Sequence, residues 1–161
     1  MLHKLLLTIL SLLSLTTAHF RIEYPNWRGD SFEGTASQWI YPCANVNTTA
    51  AANRTLWPPT GGSLRLHVSH TWALTYVNVG LAEPNGTVAS FNASLLAAHN
   101  QTGNGTFCLP AVGQAALEEL AREAGVEGGV EGLAGRDATV QVVQIGHGGS
   151  ALYNGEGGVY G

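Results

Sequence analysis

The segment Thr75-Tyr76-Val77-Asn78-Val79-Gly80-Leu81 decides the fold class of this chain. It is short, apolar and rich in β-branched and aromatic residues, the composition of a strand packed on a pleated surface. A turn-forming run, Glu83-Pro84-Asn85-Gly86, closes it. Working outward, similar stretches occur at His19 to Tyr24, Ser63 to Val68, Thr87 to Phe91 and Ala138 to Ile145, with Gly, Pro and Asn between them. Strands joined by turns predict an all-β sandwich. One stretch departs from this pattern. Leu117, Leu120, Ala121 and Ala124 share one face at helical spacing while Glu118, Glu119, Arg122 and Glu123 occupy the other, so a short amphipathic helix is expected. The tract from Gly125 to Gly135 repeats Gly-Val-Glu-Gly and is expected to form a flexible surface loop outside the core.

The chain opens with a basic residue, Lys4, a leucine-dominated run from Leu5 to Leu15, and the small residues Thr16, Thr17 and Ala18. This is the pattern of a cleaved secretory leader over residues 1–18, leaving a single domain over residues 19–161 with His19 at its new N-terminus. The apolar run is shorter than the roughly 20 residues a transmembrane helix needs, and no later segment offers one. Six Asn-x-Ser/Thr triplets, at Asn47, Asn53, Asn85, Asn92, Asn100 and Asn104, are glycan acceptors in a secreted chain. Only 11% of residues are charged and the net charge is −4, so there is no basic field for a nucleic acid. The two cysteines, Cys43 and Cys108, would in an oxidising compartment pair with each other, a bridge worth roughly 4 kcal/mol in the chain-entropy model. The rival reading is that each has lost a different partner.

A histidine at the first position of a mature chain offers two nitrogens to a metal, its ring and its free backbone amine. The amine has a pKa of about 8, so a strongly bound divalent ion displaces its remaining protons. One imidazole from elsewhere completes a set of three nitrogens, and tetragonal nitrogen coordination suits Cu(II).

The run His19-Phe20, Tyr24-Pro25, Arg28-Gly29, Phe32, Pro42-Cys43, Trp57-Pro58 and Gly61-Gly62 is followed in order by further matches. These are His70 with Trp72-Ala73-Leu74, Val77 to Leu81, Phe91-Asn92, Gly105 to Pro110, Ala138 to Val142, and Leu152-Tyr153-Asn154. Together they resemble the fungal copper-acquisition-factor family, whose members look like lytic polysaccharide monooxygenases. The resemblance implies an immunoglobulin- or fibronectin-like β-sandwich in which His19, through amine and ring, and His70 hold one copper ion in a histidine brace. It also implies copper uptake at the cell surface, with a lipid anchor common and a surface copper transporter as a candidate partner. The alternative function is oxidative attack on glycans by a copper-dependent monooxygenase, and a third is a metal-free adhesion glycoprotein.

The remaining histidines are weaker candidates. His67 precedes His70 by three residues and would face the other way on a continuous strand. His99 lies in a polar segment, and His147, in Gly146-His147-Gly148-Gly149, is an outer-shell candidate only. Trp27, Trp39, Trp57 and Trp72 are expected to pack in core and turns. The family pattern continues after Leu-Tyr-Asn into Cys-Ala-Asp, whose aspartate is a further copper ligand. This chain instead reads Gly155-Glu156-Gly157-Gly158-Val159-Tyr160-Gly161. The expected cysteine, aspartate, last strand and anchor signal are therefore missing from the sequence, and translated intron sequence from Gly155 onward is one explanation, which transcript sequencing across that junction tests. Asp137 precedes its strand and is no substitute ligand, whereas Glu156 is positioned to approach the metal from the altered tail. The stretch between Pro110 and Asp137 is expected to be a surface insertion.

Overall fold

A computed structural model describes residues 19–48, 54–83, 86–88, 90–91 and 93–160, the last two by their backbone alone. The leader and the acceptors Asn53, Asn85 and Asn92 lie outside the described residues. Two sheets face each other. The smaller is antiparallel, in the order β1 (Phe20–Tyr24), β3 (Gly62–Val68), β6 (Gly105–Val112). The larger has the order β2 (Thr55–Trp57), β8 (Ala151–Tyr160), β7 (Asp137–Ile145), β4 (Trp72–Leu81), β5 (Ala93–Thr102). Among the described residues only the β2–β8 pairing is parallel.

The sandwich follows from side-chain alternation, because successive residues of a strand point to opposite faces. In β3, Leu64, Leu66 and Val68 are buried while Ser63, Arg65 and His67 are exposed. Their buried faces meet Val77, Val79, Val140, Val142 and Leu152 from the larger sheet in one apolar core. Burial of such side chains contributes about 1.5–3 kcal/mol each before the chain's conformational entropy is counted.

Four expectations are corrected. Among the described residues Thr87 to Phe91 forms no strand: Val88 makes an isolated bridge to Ala82, and Thr87 O accepts the Glu83 amide at 2.7 Å in a tight turn. The strand beside β4 is β5 instead. The glycine tract is not outside the core. Its residues Gly129–Leu133 form a 3-10 turn that buries Leu133 completely, next to helix α1 (Gln114–Glu123), whose Leu117, Leu120 and Ala121 are also buried. The stretch after Pro110 is therefore a core-building element. Finally, the last strand is present. Gly155 to Tyr160 extends β8 between β7 and β2, because sheet pairing is made by the backbone and needs no side-chain pattern.

Candidate metal centre

His19 precedes β1, and its carbonyl accepts the Ser69 amide at 3.0 Å, continuing the β1–β3 ladder one residue beyond Phe20↔Val68. His19 thus stands across from Ser69, with His70 next along the chain, in the turn that follows β3. The structure brings the two sequence-predicted histidines to the same end of the sandwich. Both ring nitrogens of His70 are shielded from solvent. The His19 ring packs on Phe32, centroids 5.3 Å apart, and the Arg21 guanidinium lies 4.8 Å over the other partner of that stack, Phe32.

Behind His19 lies a buried amide network that the sequence reading missed. Gln38 accepts the Phe20 amide through Oε1 at 3.2 Å and donates from Nε2 to Phe20 O at 2.6 Å and to Ser31 Oγ at 2.8 Å. Asn154 donates to the same two acceptors at 3.4 and 3.3 Å. Gln38, Ser31 and Asn154 are each at most 2% exposed. A buried amide with every group paired fixes the backbone it grips, so this trio pins the first residue after His19. Only Asn154 carried a signal in the sequence, through the Leu-Tyr-Asn match; Gln38 and Ser31 carried none.

His70 is flanked on its C-terminal side by Trp72. The indole donates from Nε1 to Asn100 Oδ1 at 2.6 Å and stacks on the His147 ring with centroids 4.4 Å apart. His147 therefore reaches this end through an aromatic contact. His67 faces out of the smaller sheet and bonds Thr106 Oγ1 through Nδ1 at 3.0 Å, and His99 stacks on Phe107. Neither is brought to His19.

The carboxylate and thiol candidates go elsewhere. Glu156 does not approach the histidines: it is fully buried below a backbone bridge to Trp27, and neither of its oxygens accepts a hydrogen bond among the described residues. Burial pushes its pKa up to about 8 against the opposing pull of Arg28. Asp137 is tied to Arg54 in an ion pair. Cys43 and Cys108 do not pair. Cys43 is buried beside β8, where burial raises its pKa to about 11, whereas Cys108 is exposed on the smaller sheet. Among the described residues, no three His, Cys, Asp or Glu side chains come together as a metal cage. The donor set at this end is therefore two imidazoles, plus one amine if the chain begins at His19. Three nitrogens of this kind are a donor set that suits a copper ion, and the feature of the structure that fits it is the Ser69 to His19 ladder bond, which brings the backbone of His19 next to that of the turn carrying His70.

Of the four tryptophans, Trp57 is in the core and Trp27 and Trp72 are half-buried, but Trp39 is 56% exposed beside exposed Ile40 and Tyr41. The expectation of core and turn packing fails for Trp39, whose turn is closed onto itself by backbone bonds.

Two facing sheets with one short helix make this an all-β sandwich, and that is the class the fold defines. This chain belongs to the BIM1-like copper acquisition factor family, whose sequence model matches residues 17–155. It is 33% identical to a lytic polysaccharide monooxygenase-like protein, ham-7, of Neurospora crassa, over 91% of this chain and 66% of that protein. It is 32% identical to a lytic polysaccharide monooxygenase-like protein X325 of Hypocrea jecorina, over 92% of this chain and 66% of the relative. The chain thus spans just under two thirds of the length of these relatives. Among the described residues no helix is long and apolar enough to cross a membrane.

Proposed function

We propose that this protein is secreted after loss of residues 1–18 and that the mature chain captures one Cu(II) ion for copper uptake or homeostasis. The His19 amine and ring and the His70 ring are its ligands. The observation that supports this reading is the ladder bond from the Ser69 amide to the His19 carbonyl, one residue along the chain from His70. Bound copper would supply a redox-active Lewis acid. The protein's own part is to hold the donors: Gln38 and Asn154 fix the backbone at Phe20, Phe32 limits the His19 ring, and Trp72 anchors the strand that follows His70. Membership of a copper acquisition family supports the cargo.

Calorimetric titration of the chain beginning at His19 with Cu(II) tests the reading. His19→Ala and His70→Ala should each weaken binding by at least about tenfold, the size of one lost ligand interaction of about 1.4 kcal/mol. Unchanged affinity in both sinks the site. Mass analysis of the secreted chain tests the cut after Ala18.

A second reading, oxidative cleavage of glycans, draws support from one feature: the exposed Trp39 and Tyr41, whose rings could lie against sugar faces. Oxidised products from soluble oligosaccharides, given ascorbate and peroxide, would favour it over capture.

A further inference from the structure

Two connections share the end of the sandwich at which His19 sits. The β3–β4 turn holds Ser69, His70 and Thr71, and the β5–β6 connection touches it directly, Gly103 donating its amide to Thr71 O at 2.8 Å. Two glycan acceptor triplets fall on that connection and the strand leading into it: Asn100-Gln101-Thr102 and Asn104-Gly105-Thr106. Both asparagines are exposed. Asn104 is flanked by Gly103 and Gly105 at φ 86° and 101°, and no atom lies within 4 Å of where a Cβ would stand on either glycine. The turn therefore projects Asn104 into open space.

Asn100 is placed differently. Its Oδ1 is occupied by the Trp72 indole N–H, so the amide nitrogen, the atom that a sugar would join, is left facing away from that bond. A glycan on Nδ2 leaves Oδ1 able to keep accepting from Trp72, so modification and folding do not compete for the same atom. Trp72 is two residues from His70 and already carries His147 on its face.

We infer that Asn100 and Asn104 carry N-linked glycans that stand beside the His70 turn, screening the histidine end from polymers and other proteins while leaving it open to ions. In the joining step, Asn Nδ2 forms a bond to C1 of an oligosaccharide supplied on a lipid pyrophosphate. The C1–O bond to the pyrophosphate breaks, the lipid pyrophosphate leaves, and Nδ2 loses one proton. The inference rests on the proposed secretion, and it favours capture over attack on polymeric glycan.

Lys4 is the chain's single lysine and belongs to the leader, so once the leader is removed the only amine is that of His19. Amine-reactive esters then report access to this end with no metal present. The protein secreted from a eukaryotic host should show both Asn100 and Asn104 occupied by glycopeptide mass mapping; an unmodified Asn100 or Asn104 overturns the inference. Enzymatic trimming of the folded protein should speed N-terminal labelling by a long polyethylene-glycol ester several-fold and leave labelling by a small acetyl ester unchanged. The double variant Asn100→Gln, Asn104→Gln should match the trimmed protein. Equal rates with the long ester before and after trimming overturn the screen. Label found on residues 1–18 defeats secretion and the inference together, whereas a glycosylated, screened chain that takes up no Cu(II) defeats the copper reading alone.

Discussion

Asn154 and Glu156 sit two residues apart on the same face of β8, both sealed from water at 1% and 0% exposure, and they meet opposite environments. Asn154 donates to Phe20 O and Ser31 Oγ and accepts the Gly155 amide at 3.0 Å. Among the described residues Glu156 has no hydrogen bond to either oxygen, and the Arg28 guanidinium that pulls on it spends its own bond on Thr139 while its buried Nε finds no partner there. The family match ends at Gly155, between the two. Up to that point the polar residues of β8 are served by the fold; the first residue after it is not. A strand can accept almost any sequence through its backbone, so polar satisfaction, and not secondary structure, reveals where sequence and fold stop agreeing.

Gly155 offers the sharpest way to break this comparison. A Cβ added there would lie 2.3 Å from Cys43 Sγ and 2.7 Å from its Cβ. Bridged cysteines have Cβ atoms about 3.8 Å apart, so Gly155→Cys needs the Cys43 loop to retreat by about 1 Å before the bond can close. The oxidised variant should then gain about 4.7 kcal/mol, the value for a loop on the order of 100 residues, less the strain of that shift. The reduced variant should be less stable than the parent because two thiols crowd one space. Mass analysis showing the loss of two hydrogens, with denaturant midpoints in the order oxidised, parent, reduced, checks it; a variant that never bridges contradicts the placement of Cys43 against β8.

Next in size is Glu156 itself. Its folded pKa of about 8 stands above the ordinary carboxyl value of 4.5, so the folded chain holds a proton that the unfolded chain releases. The stability this proton supports is complete below pH 4.5 and is lost as pH rises from there to about 8, the reverse of a salt-bridged carboxylate. Glu156→Gln keeps the volume and removes the ionisation, so it should flatten the pH dependence of the midpoint over that window. Glu156→Leu should add ~1–3 kcal/mol at neutral pH, the cost of a buried polar group that no partner serves. A parent protein whose stability rises from pH 5 to 8 would refute the burial argument.

The sequence made some of this legible and hid the rest for identifiable reasons. β3, β4 and β7 announced themselves because their side chains feed one core, and α1 because Leu117, Leu120 and Ala121 recur on one face. β8 was hidden because its glycines carry no hydrophobic period, and Leu133 because apolar residues scattered through a glycine tract look like a loop. The alanine-rich, polar β5 gave no strand signal although it borders β4 along its length. At the candidate site, His19 and His70 were readable from the leader and the family resemblance. The Gln38–Ser31 clamp was not, since an amide in a turn shows its role only when its partners are placed around it.

That clamp supplies the smallest of the expected effects. Asn154→Ala removes two donors from a buried network whose acceptors, Phe20 O and Ser31 Oγ, still receive Gln38. Both acceptors keep one bond each, so the cost should sit at the lower part of the ~1–3 kcal/mol range for an unserved buried polar group. The Gly155 amide is the one group left bare. Gln38→Ala, by contrast, strips the Phe20 amide of its side-chain acceptor and leaves Phe20 O with the longer bond from Asn154, so it should cost more, with faster exchange of the Phe20 amide hydrogen. Because Phe20 follows His19 directly, the same variant should broaden the spread of His19 positions and lower Cu(II) affinity by more than its Asn154→Ala counterpart. Equal copper affinity in the two variants would mean that the clamp supports the strand without positioning the histidine.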